Sequence, residues 1–425
     1  MGEIWAYNQP IAWARFRASG DLDPPRMRIL MIAPEPFFEP RGTPFSEYHR
    51  IRALLELGHS VDLVTYPFGE DVSLPGLRIF RCARPPLVRR VRVGPSGTKL
   101  VLDLTLTVTA LRRAMADSYD AVHSHEEGAA IGLLIAGLSG LPHLYDMHSS
   151  LPQQLANFGF SRSRTLRWVF ERFERAAVRR SRVVIVICPE LHRRVREIEP
   201  SADPVLIENA PGADDRTSGL SAGGVRRRFG IGQATPLVVY TGTFEAYQGL
   251  DLFFEAAAIV RRERPDVHFL LAGGRPRQVD EARAQARAAG IVEGLDFAGE
   301  RPASEIPAFL EAADVLVSPR SRGTNTPLKI YQYLRSGRPI VATRLLTHTQ
   351  VLNDEVAILT EATANAFAQG IVRALSDPAA AAALGTRAAQ LAAVKYSYEA
   401  YLARTREAVA RLSPHTAAEV AGGVV

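Results

Sequence analysis

From Met27 onward, short runs of continuous apolar residues alternate with longer amphipathic ones. This alternation restricts the fold more than any other feature of the chain. MRILMIAP (Met27–Pro34) has the length and composition of a strand buried on both faces of a parallel sheet. After a loop with Gly42 and Pro44, SEYHRIRALLELG predicts a helix N-capped by Ser46 and closed at Gly58. HSVDLVTY and LRIFRCA read as the next strands, followed by a helix from about Lys99 to Met115. The strand AVHSH, a helix from Gly128, the strand PHLYDMH, another helix and RVVIVICP continue the series. Such alternation predicts α/β architecture, with parallel sheets covered by helices on both faces.

The 425 residues exceed what one core holds, since single cores stop growing near about 250–300 residues. A break falls near Asn209, where NAPGADDRTSGLSAGG is rich in Gly, Ser, Asp and Pro. A second alternating series follows: PLVVYTG, LDLFFEAAAIVRRER, VHFLLAGG, a helix, LDFAG, ASEIPAFLEAA and DVLVSP. The expected organisation is an extension over residues 1–26, a domain over 27–210, a linker over 211–235 and a second domain over 236–395. A last helix over 396–412 and a tail over 413–425 complete it. Two tandem doubly wound, Rossmann-like domains would then face one another across a cleft, with ligands at the carboxyl ends of their strands.

A net charge of +6 suits an anionic ligand or an acidic membrane surface, and the basic–aromatic signatures of nucleic-acid modules are absent. Cys82 and Cys188 are too far apart and too isolated for a CxxC site, which suggests reduced thiols in the cytoplasm. The longest apolar stretch, Gly128–Leu141, falls short of the about 20 residues that span a bilayer.

The segment from Pro319 to Thr343, PRSRGTNTPLKIYQYLRSGRPIVAT, is the richest in chemistry. A strand ends at Pro319; Thr326 predicts a helix N-cap, with Pro327 in the first turn and a stop at Gly337. Arg320, Arg322 and Lys329 gather at this helix N-terminus beside the amides of Thr324, Asn325 and Thr326. Cations crowd unfavourably against the positive end of a helix dipole unless an anion joins them, so a phosphate site is expected.

Taken in order, MRILMIAP, LLELGHSVDLVTY, DAVHSHE, LYDMHSSLP, VVIVICPEL, IENAPG, YTGTFEAYQGLDLF, FLLAGG and DVLVSPRSRGTNTPLKIYQYLRSGRPIVAT resemble the family 4 glycosyltransferases of GT-B fold over roughly Met27–Leu412. The resemblance implies an N-terminal acceptor domain, a C-terminal nucleotide-sugar donor domain and a last helix crossing back to the first. It implies that His148 contacts the donor, that Gly242, Thr243, Gln248 and Gly273 lie around its diphosphate, and that configuration is retained. Arg320 and Lys329 would stabilise the leaving diphosphate, with Arg322, Asn325 and Thr326 beside them. The loop Pro40–Phe45, with Gly42 and Thr43, would close the acceptor side together with His125. Thr243 and Gln248 stand where many relatives carry Arg and Lys, and Thr324 and Gln332 where many carry glutamates. Those departures leave open a non-catalytic binding partner, and the same fold leaves open a nucleotide-sugar epimerase, as alternatives.

Two further clusters allow competing readings. His123 and His125 share one face of a strand end ahead of Glu126 and Glu127, a pattern that could hold a metal, although no HExxH or cysteine cluster accompanies it. The favoured expectation is a metal-independent site without cofactor, the nucleoside diphosphate sugar being co-substrate. Ser161–Arg182 carries eight arginines against two glutamates, with Leu166, Val169, Phe170, Phe173 and Ala177 on one stripe. It reads first as a surface helix packed through that stripe, and second as a basic face on anionic lipid serving a lipid-linked acceptor. The acceptor is otherwise a sugar or small molecule. The expected location is cytoplasmic, with peripheral contact at the inner face of the membrane.

Overall fold

The computed structural model describes residues 25–38, 42–86, 88, 97–150, 152, 164–208 and 219–412. In the first half, seven strands form one sheet: β1 (Arg28–Ala33), β2 (Ser60–Thr65), β3 (Leu77–Arg81), β4 (Ala121–His125), β5 (His143–Met147), β6 (Val183–Val186) and β7 (Val205–Leu206). Helices α1 (Gly42–Glu56), α2 (Gly97–Ala116), α3 (Ala129–Ser139), α4 (Arg164–Arg180) and α5 (Pro189–Ile198) connect them. The strand order is β3-β2-β1-β4-β5-β6-β7, with every pairing parallel. Residues 29–33 of β1 are all buried because the strand is covered on both faces, which explains its unbroken apolar sequence.

The second half opens with α6 (Ala222–Arg228) and builds a six-stranded sheet. Its elements are β8 (Leu237–Thr241), α7 (Leu250–Glu263), β9 (His268–Ala272), α8 (Pro276–Ala288), β10 (Leu295–Gly299), α9 (Ile306–Ala312) and β11 (Val315–Ser318). They continue with α10 (Leu328–Ser336), β12 (Ile340–Thr343), α11 (Leu346–Thr349), β13 (Ile358–Thr360), α12 (Ala364–Ser376) and α13 (Pro378–Lys395). The order β10-β9-β8-β11-β12-β13 repeats the plan of the first sheet. In each sheet the strand order reverses at one point, between β1 and β4 and between β8 and β11, and the crevice outside the strand ends there is where such folds bind ligands.

Apolar side chains fill both faces of each sheet. Beneath the first, Ile29, Met31 and Leu63 pack on Ile51 and Leu54 of α1; above it, Leu30, Ile32 and Val64 meet Leu102 and Leu106 of α2. The last helix, α14 (Tyr398–Ala410), packs on α1 and joins the first domain's core through Tyr401, Ala408 and Val409.

Two helix starts differ from the sequence expectation. Helix α1 begins at Gly42, so Ser46 lies buried within it, and Pro44 occupies a first turn where a missing N–H costs nothing. For α10 the cap position is Pro327, with ψ 136°, and the Thr326 side chain makes no capping bond. Proline keeps the residue before it out of helical geometry, so the helix starts after Thr326 has already turned away. Helices α6, α12 and α13 and the short edge strand β13 lie beyond what the sequence reading resolved.

Candidate active site

The strand ends of the second sheet build a cradle around Lys329. Its ammonium lies 3.2 Å from where a Cβ on Gly242 would stand and 3.8 Å from the centre of the Tyr240 ring. The side chain is 7% exposed and its Nζ has no hydrogen-bond partner. Burial, reinforced by the nearby Arg320 charge, pushes its pKa well below the usual lysine value. A buried ammonium facing a tyrosine ring and lacking an acceptor is an incomplete arrangement, and an incoming anion would complete it.

Close backbone approach shapes the cradle. Gly249, at φ 72°, lies against the loop after β11: a Cβ there would stand 2.0 Å from the Pro319 carbonyl oxygen. Gly273, at φ 137°, packs against the Gly242 carbonyl, which a Cβ would approach to 1.8 Å. Gly242 N–H donates to Ala272 O at 2.9 Å, and Tyr333 Oη accepts from Thr241 N–H at 2.9 Å. Beneath the strand ends, the buried His348 bridges Ser318 Oγ (2.9 Å) and Thr343 O (2.8 Å), and burial lowers its pKa to about 3. Gln248 is buried; its amide nitrogen donates to Thr243 Oγ1 at 3.3 Å, while its Oε1 has no partner.

Arg320 does not extend freely toward a ligand. Its Nε donates to Arg322 O at 2.8 Å and its Nη1 to Asn325 O at 3.3 Å, with the guanidinium over the Tyr247 ring at 5.0 Å. It therefore braces its own loop, and burial lowers its pKa. Arg322 is exposed. Thr324 O accepts from Gln350 Nε2 at 2.6 Å, and the buried Thr326 joins loop to helix. Gln332 lies three residues beyond Lys329 on α10, half-buried.

Across the cleft, the ends of β4 and β5 bring His123, His125, Asp146 and His148 together. His125 pairs with Asp146 in strand register. Asp146 Oδ1 lies 3.2 Å from His148 Nε2, and Oδ2 2.9 Å from Arg50 Nε. His125 Nδ1 is 3.2 Å from His148 Nε2, and the His123 and His125 rings stack at 4.7 Å. Burial alone would raise the Asp146 pKa, yet Arg50 and His148 together hold it well below the usual carboxylate range. Burial lowers the pKa of both His123 and His125. Glu126 is pushed up to about 8 by burial, and Ser149 Oγ donates to it at 2.7 Å. Burial raises Glu35 and Glu47 well above the ordinary value; the Glu47 charge raises Glu35 further, whereas a hydrogen bond with Glu35 works against the rise at Glu47, whose Oε1 lies 3.9 Å from His125 Nδ1.

The ligand atoms of His123, His125 and Asp146 all lie within 4.8 Å of one another, so these residues could hold a metal ion. Arg50 already occupies one Asp146 oxygen, which places a fixed positive charge in that position.

The halves meet directly. Asn325 Nδ2 donates to the His148 carbonyl oxygen at 2.7 Å, and Gln350 Oε1 accepts from Glu190 N–H at 2.8 Å. Gly42 and Thr43 stand in the first turn of α1, on the helix that also brings Glu47 toward His125; Pro40 and Arg41 lie outside the described residues. Sequence reasoning missed Arg50 and Glu47. The signal available was a pair of charged residues set in the apolar stripe of α1 with Ile51 and Leu54.

Residues 48–210 match the family model described as "Glycosyl transferase 4-like domain", and residues 235–377 the one described as "Glycosyl transferases group 1". The chain is 30% identical to the 2-deoxystreptamine glucosyltransferase of Streptomyces kanamyceticus, over 63% of this chain and 72% of that protein. It is 25% identical to the phosphatidyl-myo-inositol mannosyltransferase of Mycobacterium leprae, over 77% of this chain and 81% of that one. Among solved structures, Anabaena HepE in complex with UDP superposes with a TM-score of 0.68 at 16% identity, covering 94% of this chain and all of that one, a likeness of fold.

Proposed function

The chain belongs to the family 4 glycosyltransferases of GT-B fold, and from that premise we propose that it moves a sugar from a nucleoside diphosphate sugar to an acceptor hydroxyl, with retention of configuration. The observation that carries the donor assignment is Lys329, a buried ammonium without an acceptor at the topological switch point of the second sheet. A diphosphate seated over Gly242 and Gly273 would supply that acceptor, and a protein of similar fold solved in complex with UDP supports a nucleotide as the ligand class.

As the sugar–phosphate bond breaks, negative charge grows on the leaving diphosphate. Lys329 would stabilise it from a site where no water competes, with the amides of Thr324 to Thr326 adding fixed dipoles. Arg320 would act mainly by holding that loop in shape. Gln332 would reach the ribose hydroxyls, and His148, oriented by Asp146, would contact the donor sugar. The acceptor would enter on the side of Gly42, Thr43 and His125. Its class is a sugar, small molecule or lipid-linked acceptor, and the relatives named for 2-deoxystreptamine and phosphatidyl-myo-inositol support the latter two. Metal independence fits a site in which Arg50 already neutralises Asp146 and Lys329 meets the diphosphate. Two buried free thiols, Cys82 and Cys188, fit a reducing compartment.

Thermal unfolding against UDP, GDP, ADP, dTDP and their sugars, with EDTA or with added Mg²⁺ or Mn²⁺, tests this reading. A nucleotide at one hundred times its dissociation constant stabilises by about 2.7 kcal/mol. Lys329→Met is expected to melt at or above the wild-type temperature, because it removes a buried unpaired charge, and to lose the nucleotide shift. Failure of every nucleotide to shift the wild type would sink the donor assignment. A shift that requires the metal would sink metal independence alone.

A further inference from the structure

We propose that the outer face of α2, α3 and α4 docks the protein on an anionic lipid bilayer, an inference that draws on the proposed function only for its consequence. On α2, Leu100, Val101, Leu104, Val108 and Met115 are all exposed, Leu100 by 73% and Leu104 by 66%. At 3.6 residues per turn they fall within about 100° of helix circumference. They lie opposite Leu102, Leu106 and Ala110, the residues α2 buries. The helix therefore carries one apolar stripe for its own core and a second one for something outside it.

The neighbouring helices extend the patch. Helix α2 touches α3, and α3 touches α4, so the three lie side by side over one face of the sheet. Helix α3 contains no charged residue and exposes Leu134 and, by 72%, Leu138. Helix α4 exposes Trp168 and Val169, with the Arg172 guanidinium 5.2 Å from the centre of the Trp168 ring. Monomeric proteins rarely leave so many large apolar side chains exposed on neighbouring helices of one face.

Charge decides what covers it. Between Arg164 and Arg180, α4 carries six arginines against two glutamates, and one of those glutamates, Glu174, is buried against Arg194. A second copy of the chain meeting this face about a two-fold axis would set arginine against arginine. An anionic bilayer instead takes the arginines at its headgroups, the tryptophan at the interface and the leucines at the acyl boundary. No helix among the described residues is long and apolar enough to cross a membrane, so the contact is a surface one. Lys99, at the start of α2, pairs with Glu127 in the turn that follows β4, which sets the exposed leucines close to the cleft. A lipid-linked acceptor would thus reach the site from the bilayer without leaving it.

Flotation of the full chain with vesicles tests the inference, without nucleotide or acceptor. We expect binding to vesicles of phosphatidylcholine with phosphatidylglycerol, little to phosphatidylcholine alone, and release by high salt. Leu100→Glu with Leu104→Glu, or Arg167→Glu with Arg175→Glu, should each lower the partition coefficient by roughly tenfold or more. All four positions are exposed, and unchanged melting and nucleotide shifts would show the variants folded. Absence of binding to the anionic vesicles, or binding that neither double variant weakens, overturns the inference. So does a concentration-dependent dimer, seen by ultracentrifugation without vesicle binding and dissolved by Leu104→Glu. A chain that floats but binds no nucleotide keeps this inference and loses the donor reading; one that binds nucleotide but never floats does the reverse.

Discussion

Glu126 and Lys329 pose the same problem with opposite signs. Each is an ionisable group in the cleft-side interior, and each has its charged form penalised by burial. For Glu126 the consequence can be followed with pH. Below about pH 4.5 the carboxyl holds its proton whether the chain is folded or not. Between that value and about 8 the unfolded chain ionises while the folded one keeps the proton, so stability falls as pH rises. Above about 8 both states are ionised and the penalty stays constant. Glu126→Gln, which keeps an oxygen for Ser149, should therefore gain stability over the wild type across that window, by up to about 1.4 kcal/mol per pH unit. Urea unfolding of both proteins from pH 4 upward, at about unit steps, checks this. A difference independent of pH would mean that Glu126 is ionised in the fold. At this scale the sequence shows which groups can carry charge and hides which of them are buried. Lys329 was legible because a first-turn cation conflicts with the helix dipole, whereas Arg50 and Glu47 show only as charges set in the apolar stripe of α1, with nothing local to name Tyr401 as the cover of Arg50 or His125 as the neighbour of Glu47.

Among elements, the cradle around Lys329 depends on two loops that touch through backbone. The loop after β8 closes on the loop after β11 at Gly249, and Ser321 N–H donates to Tyr247 O at 3.1 Å across the same seam. Gly249→Ala would need both a left-handed φ and a methyl group inside the Pro319 carbonyl. It should cost at least about 1–3 kcal/mol and weaken nucleotide binding beyond what the lost stability explains. Equilibrium unfolding and nucleotide titration on one preparation separate the two effects. Unchanged nucleotide affinity would show that the seam does not shape the site. The strand–loop–helix unit around Pro319 was readable because its punctuation is strong: β-branched residues, a proline, a glycine stop. Its exact cap was not, since Thr326 and Pro327 both suit a helix start and only the observed ψ of Pro327 separates them. Strand β13 gave too little signal, having three residues at a sheet edge.

In the whole molecule, one line of polar contacts joins the crossing helix to the loop before α10. Thr405 on α14 accepts from Arg50 Nη1 at 3.0 Å, Arg50 lies over Tyr401 and pairs with Asp146, Asp146 holds His148, and His148 O accepts from Asn325. Most of these groups are buried within the first domain, whereas Asn325 is half-buried and comes from the second. Its bond to His148 is thus a link that domain opening must break and closure must restore. The alternating apolar pattern made two domains and their cleft visible in the sequence, but no local pattern announces a contact between residues 177 positions apart. Asn325→Ala should leave the melting temperature within a few degrees of wild type, because a half-buried inter-domain hydrogen bond contributes only about 0.5–1.5 kcal/mol. It should, however, uncouple the halves. If the proposed nucleotide site is right, nucleotide bound to the wild type should stabilise the loop that holds Asn325 and so slow amide exchange around His148 and Ser149, on the opposite domain. In Asn325→Ala that remote protection should vanish while protection around Gly242 and Lys329 persists. If nucleotide still protects residues near His148 in the variant, closure is carried by other contacts, of which the Gln350 bridge between Thr324 and Glu190 is the next to remove.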